Sequence, residues 1–191
     1  MRQDIESILY DAECIHDRVL QVGTRITRDY QDKDLLLVGV LKGSFVFLAD
    51  LARSIDLPVE VDFMVVSSYG SGTESSGVLT IAKDLSVPVE GRHVLIVEDI
   101  VDSGLTLSLL AEDLRSRGAA SVQVAVLLEK DVPRSHQVEC AYSAFHCPDA
   151  FLVGYGLDYA ERYRNLPYIG ILKPEVYEDR AQCPDARQSG R

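Results

Sequence analysis

HVLIVEDIVDSGLT, residues His93–Thr106, runs through three chemical characters in one short stretch. It starts with an apolar segment, His93–Val97, of the kind a strand buried on both faces of a sheet requires. Two adjacent acids, Glu98 and Asp99, follow it. Asp102-Ser103-Gly104 then opens an amphipathic helix, Leu105–Arg117, that Gly118 is suited to end. Strand, loop and helix in this order make half of a β-α-β unit, and ligands in sheets of that kind sit beyond the carboxyl ends of the strands.

Outward from this stretch the same alternation recurs. Leu35–Leu41 (LLLVGVL) reads as a second buried strand. Ser44 stands where it can cap a helix carrying Phe45, Leu48, Leu51, Ala52 and Ile55, stopped before Pro58. Val59–Val66 alternates as a strand does, and Val78–Ala82, Val122–Leu128, Phe151–Val153 and Tyr168–Leu172 add further strand signals. Ile5, Ile8, Leu9, Ala12, Ile15, Val19, Val22 and Ile26 recur at helical spacing and predict one long N-terminal helix. Ser67–Gly77 (SSYGSGTESSG) has little to bury besides Tyr69 and predicts a mobile loop. The expected fold is α/β, a mostly parallel central sheet with helices on both faces. One domain over residues 1–177 is expected, followed by a disordered tail over residues 178–191 that lacks apolar periodicity.

Composition narrows the function. Across 191 residues the net charge is -11 and the pI about 4.7, an acidic surface that repels a nucleic-acid backbone. Any phosphate ligand must therefore rest on backbone N–H groups, local cations or a metal. No segment reaches the ~18 apolar residues of a membrane span, and acids occupy the N-terminus where a signal peptide is basic. The expected location is cytoplasmic, without membrane or nucleic-acid partners. Cys14, Cys140, Cys147 and Cys183 form no C-x-x-C pair, and His16, His93, His136 and His146 form no metal-binding pattern.

The chemistry concentrates after His93–Val97. Two uncompensated carboxylates leaving an apolar strand are expensive, and a cation or a sugar diol relieves that cost. Asp102–Thr106 offers the Ser103 and Thr106 hydroxyls, Gly104 for close backbone approach, and a helix N-terminus, which together suit a phosphate. The plainer alternative, Asp102 and Ser103 as helix caps beside solvated acids, leaves the strand-end pair unexplained. The G-x-x-x-x-G-K-[ST] pattern of a nucleoside-triphosphate loop is missing.

VLIVEDIVDSGLTL (Val94–Leu107) closely resembles the phosphoribosyl-pyrophosphate signature of the type I phosphoribosyltransferases. The resemblance extends to LKGS (Leu41–Ser44), DFMVVSSYG (Asp62–Gly70), LLEKDVPRS (Leu127–Ser135) and FLVGYGLDYAERYRNLPYIGILKPEVY (Phe151–Tyr177). The last of these is similar to the 6-oxopurine branch. The resemblance implies a small hood over the sheet, a mobile active-site loop, and transfer of phosphoribosyl from its pyrophosphate to hypoxanthine or guanine. It also implies Mg2+ and a homodimer or homotetramer.

The resemblance also implies a role for each of these residues. Glu98 and Asp99 would hold the ribose hydroxyls and face the metal region. Asp102 would act at purine N7, and Asp102, Ser103, Gly104, Leu105 and Thr106 would grip the 5′-phosphate. Many family members have lysine where this chain has Leu105, which shifts phosphate binding onto backbone donors. Lys130 would donate to the purine O6, although a lysine after a strand is ordinarily just solvated. Phe151, elsewhere a core residue, would stack on the base while the Leu152 backbone reads its edge. Asp158 would reach Mg2+ and Arg164 the pyrophosphate. Lys42 and Gly43 would present N–H groups to the pyrophosphate after a non-proline cis bond at Leu41–Lys42. Ser68 and Tyr69 would ride on the closing loop. SAFHCPDAF (Ser143–Phe151) departs from the family pattern. The competing expectations are a xanthine-preferring enzyme and a non-catalytic regulator that binds phosphoribosyl pyrophosphate.

Overall fold

The computed structural model describes residues 1–69, 78–132, 136 and 138–181. Six strands form the central sheet: β2 (Leu35–Val40), β3 (Glu60–Tyr69), β4 (Val78–Lys83), β5 (His93–Val101), β6 (Ser121–Lys130) and β7 (Tyr142–Cys147). Their order is β4-β3-β2-β5-β6-β7. All neighbours run parallel except the β3–β4 edge pair, which is antiparallel.

Alternation along the central strands divides the core in two. Leu35, Leu37, Leu95, Val97 and Leu127 face helices α1 (Ala12–Asp29) and α2 (Phe45–Ser54), where Ile15, Val22, Ile26, Phe47 and Leu51 complete one cluster. Leu36, Val38, Val94, Ile96 and Val124 face the other way onto α3 (Leu105–Ser116), through Leu107, Leu110 and Leu114. Successive residues of β2 and β5 thus serve opposite layers, which is why both strands are apolar almost throughout.

A second, antiparallel sheet sits apart, in the order β1-β9-β8 from Ile5–Tyr10, Ile169–Leu172 and Leu152–Val153. Its core is Ile5, Val153, Tyr163, Leu166 and Leu172, with Val176 and Tyr177 of α4 (Pro174–Ala181) packed against it. This is the small hood.

Several expectations need correction. The N-terminal stripe is two elements: Ile5–Tyr10 is strand β1, and the helix starts only at Ala12, where Asp11 accepts from the Cys14 N–H at 2.9 Å. The apolar spacing of Ile5 and Ile8 fitted a helix, but pairing with β9 at the far end of the chain decides otherwise. Ser44 precedes α2, yet its hydroxyl donates back to the Val40 carbonyl at 2.6 Å instead of capping. Phe45 is largely exposed and lies off the buried face of α2. Residues 67–69 belong to β3, where pairing with β4 extends it; the rest of the expected loop, 70–77, lies outside the described residues. Strand β7 was not anticipated, because Ser143 and His146 break its apolar run. The expected tail starts inside α4, and residues 182–191 lie outside the described residues. Among the described residues no helix is long and apolar enough to cross a membrane.

Candidate active site

At the carboxyl ends of β2, β5 and β6 two cavities adjoin, of about 360 and 270 Å3. Both are lined by Asp99, Ile100, Asp102 and Asp158. Glu98 and Asp99 are not loop residues as expected, since β5 continues to Val101. Both are half-buried within the strand. Burial, and then the neighbouring Asp99 carboxylate, push the Glu98 carboxyl well above its ordinary range. Strand continuation thus makes the acid pair costlier than a loop would.

The larger cavity gathers the residues expected around a phosphorylated sugar. The helix-opening loop lines one side through Asp102, Ser103, Gly104 and Thr106. Gly104 holds φ +79°, the left-handed conformation that glycine adopts without penalty, and stands as the residue before α3. Neither Asp102 nor Ser103 is that cap residue. The Leu105 side chain is buried and lines neither cavity; its backbone N–H donates to Ser103 Oγ at 3.4 Å.

The opposite side is the β2–α2 turn. The Leu41–Lys42 peptide is cis, as the resemblance implied. Leu41, Lys42 and Gly43 line the cavity, and a Cβ added to Gly43 would overlap the Asp99 carboxylate. Arg164 closes this end. Its guanidinium lies 2.9 Å from Asp158 Oδ1 and donates to the Gly156 carbonyl at 2.8 Å. The Arg164 Nε–H is buried with no acceptor among the described residues. Glu161, which sequence reasoning missed, bridges the cations: its carboxylate lies 3.0 Å from Lys42 Nζ and 3.3 Å from Arg164. Its spacing of three residues from both Asp158 and Arg164 was the available signal.

The smaller cavity is lined by Lys130, Phe151, Leu152 and Leu157. Phe151 precedes β8 instead of lying in it, and is 39% exposed, unlike a core phenylalanine. Tyr177 stacks on it at 5.0 Å between centroids, and Tyr159 meets it edge-on at 5.2 Å. Lys130, at the end of β6, brings its ammonium 3.4 Å from Asp102 and 3.0 Å from Asp149. Asp149 too was missed. Ser68 and Tyr69 lie at the end of β3, paired with Leu79 and Val78.

The site therefore presents carboxylates, cations, a helix N-terminus and an aromatic ring around one continuous cleft. Comparison with known proteins agrees with that chemistry. The model of the phosphoribosyl transferase domain matches residues 8–160. The chain is 54% identical to the hypoxanthine-guanine phosphoribosyltransferase of Bacillus subtilis, over 93% of this chain and 99% of that one. It is 49% identical to the Streptococcus pyogenes protein of the same name, over 93% and 98%. A crystal structure of a hypoxanthine phosphoribosyltransferase from Staphylococcus aureus superposes with a TM-score of 0.90 at 48% identity, covering 93% of this chain and 96% of that one. On fold, site and these similarities together, the chain belongs to the phosphoribosyl transferase family, among the hypoxanthine phosphoribosyltransferases.

Proposed function

We propose that this enzyme moves the 5-phosphoribosyl group of phosphoribosyl pyrophosphate onto hypoxanthine, with guanine as a second acceptor, and releases pyrophosphate. One observation carries the reading: two adjoining cavities share a wall of Asp99, Ile100, Asp102 and Asp158. The phosphorylated sugar fills the larger and the base the smaller, so that C1′ and the attacking nitrogen meet at the shared wall. The name of the Bacillus subtilis relative includes both bases.

As the bond from C1′ to the pyrophosphate oxygen breaks, positive charge grows on the ribose and negative charge on the leaving group. Arg164 and the Lys42–Gly43 backbone stabilise the leaving group. Pyrophosphate oxygen also supplies an acceptor for the Arg164 Nε–H. Glu98 and Asp99 hold the ribose hydroxyls, and the loop Asp102–Thr106 holds the 5′-phosphate at the N-terminus of α3. Asp102 accepts or shares the N7 proton of the base as charge gathers there. Lys130 donates to O6, while Phe151 and the Leu152 backbone position the ring. Water must also be kept from the cationic sugar, a role assigned to Ser68 and Tyr69 at the end of β3.

Mg2+, when bound, neutralises the growing charge on pyrophosphate. The residues fit such an ion. Among the described residues no three His, Cys, Asp or Glu side chains close into a cage. Mg2+ is instead commonly held by one or two carboxylates together with substrate phosphates. Asp158 would hold it on the pyrophosphate side, with Glu98 and Asp99 on the ribose side. A cytoplasmic location and a homodimer or homotetramer complete the reading; exposed Leu20 and Phe45 are apolar surface that assembly would cover.

Initial rates with hypoxanthine, guanine, xanthine and adenine, each with phosphoribosyl pyrophosphate and Mg2+, test the reading. Hypoxanthine and guanine are expected to react readily. Preference for xanthine, or no turnover with any base, overturns it.

A further inference from the structure

Lys130 has more than one acidic neighbour, and only Asp102 belongs to the shared wall of the cleft. The other comes from the turn that follows β7. Strand β7 runs beside β6 with Lys130 opposite Cys147, and the Asp131 N–H donates to the Cys147 carbonyl at 2.9 Å. Pro148 then ends the ladder, since it has no N–H to offer. The chain turns there, with the Ala150 N–H donating to the Pro148 carbonyl at 2.9 Å, and Asp149 swings to the end of β6. Its carboxylate accepts from Lys130 Nζ at 3.0 Å, closer than Asp102 at 3.4 Å.

We propose that Asp149 is a positioning residue for the base site: it serves as the nearer counter-ion to Lys130, aiming the ammonium at the purine edge and drawing it off Asp102, which faces the attacking base. This rests on the base-site reading given above. An ammonium has three protons and no lone pair. One proton goes to O6, and the others need acceptors in a pocket where the Lys130 side chain is only 17% exposed. Were Asp102 the sole acceptor, the ion pair would tighten onto it and blunt its capacity to take a proton. Asp149 removes that conflict. It also keeps the amine a donor only, which disfavours a 6-amino group. Burial lowers the Lys130 pKa, but the Asp149 hydrogen bond and the Asp102 charge together raise it above its ordinary value. Asp149 itself is 70% exposed, so replacing it leaves the core intact.

The test is a double-mutant cycle read as KM and kcat for each substrate. Asp149→Asn is expected to raise KM for hypoxanthine and lower kcat, together about tenfold in kcat/KM, for the loss of one charged hydrogen bond. KM for phosphoribosyl pyrophosphate should stay unchanged, and the preference for hypoxanthine over adenine should narrow. Asp149→Glu should restore much of the loss. In a Lys130→Gln background, Asp149→Asn should have no further effect. Wild-type kinetics for Asp149→Asn, or an equal loss in both backgrounds, overturns the proposal while the base-site reading stands. If Lys130→Gln alone leaves hypoxanthine use and base choice untouched, that reading falls and takes the proposal with it.

Discussion

The two ends of the cleft are built by different means. One wall of the phosphate end is a continuous piece of chain: β5 delivers Glu98 and Asp99, and the loop Asp102–Gly104 turns directly into α3, while Lys42, Gly43 and Arg164 face it from elsewhere in the sequence. Its donors are backbone groups and short hydroxyls, set by local geometry. The base end is assembled from separate parts of the chain: Lys130 from the end of β6, Asp149 from the turn after β7, and Phe151 backed by Tyr177 of α4. Its contacts are long side chains held by partners distant in sequence. Binding a phosphate needs little more than a helix N-terminus, whereas choosing among purines needs polar groups held at fixed positions. On the proposed function, the cleft divides its labour accordingly.

The sharpest challenge to this division is the metal, which is expected to serve the phosphate end alone. Adding a chelator in excess should abolish turnover, and restoring Mg2+ should recover it. Equilibrium binding of the purine by itself should survive chelation. Full activity in chelator would remove Mg2+ from the reading.

Next in size is base selection, which belongs to the other end. A site whose buried donor meets the wrong group rejects it by ~10⁴, so adenine kcat/KM should fall below that of hypoxanthine by about this factor. Lys130→Gln, which can both donate and accept, should lower hypoxanthine use and narrow the gap. Equal use of adenine and hypoxanthine by the unmodified enzyme is incompatible with Lys130 as the O6 donor.

Asp102 stands where the two ends meet. Asp102→Asn keeps the shape and removes the basic oxygen, so kcat should drop by ~10²–10⁴ with both substrates still bound. Single-turnover rates separate this from a binding defect; near-normal kcat would return Asp102 to a purely local role beside α3.

Gly43→Ala probes the phosphate end by crowding. The added methyl overlaps the Asp99 carboxylate, and a displacement on that scale should cost ~10²-fold in kcat/KM for phosphoribosyl pyrophosphate. The discrimination between hypoxanthine and adenine should be unchanged. If discrimination collapses instead, the two ends are not separable.

The smallest effect is on stability. Burial and the Asp99 charge raise the folded-state pKa of Glu98, so the folded protein favours the protonated form. That contribution to stability is fully present below the unfolded-state pKa and is lost as pH rises through the folded-state value. Glu98→Gln removes the loss. Without ligand at neutral pH its Tm should rise by ~2–4 °C, the shift of roughly 1 kcal/mol in a chain of this size. The gain should vanish in acid, and binding of phosphoribosyl pyrophosphate should weaken. Melting curves across pH decide it; an unchanged Tm at neutral pH rules out the acid pair as a source of strain.

Legibility followed the same divide. Buried strands β2 and β5 and helix α3 could be read from composition, because an apolar run of strand length followed by a glycine-opened helix leaves few alternatives. The acid pair and the loop Asp102–Thr106 could be read as a ligand site on cost alone, since carboxylates leaving a buried strand need a partner. Lys130 and Phe151 were different. On their own residues a solvated lysine and a core phenylalanine were the better readings, and only the resemblance to a family changed them. Glu161 and Asp149 were overlooked because an acid in a polar stretch carries no local mark of the cation it will meet.

By itself, then, the sequence determined the parallel sheet, its two-sided burial, and the strand–loop–helix segment that lines the larger cavity. Each depends on interactions between residues close along the chain or on the hydrophobicity of a whole segment. Only the tertiary structure decided that Ile5–Tyr10 is a strand, because its hydrogen-bond partner is Ile169–Leu172. It alone brought Asp149 to Lys130 and Glu161 to Lys42. Those pairings depend on which strand ends and turns the packed layers carry to one edge of the sheet, and no local periodicity encodes a contact that exists only after the chain has closed.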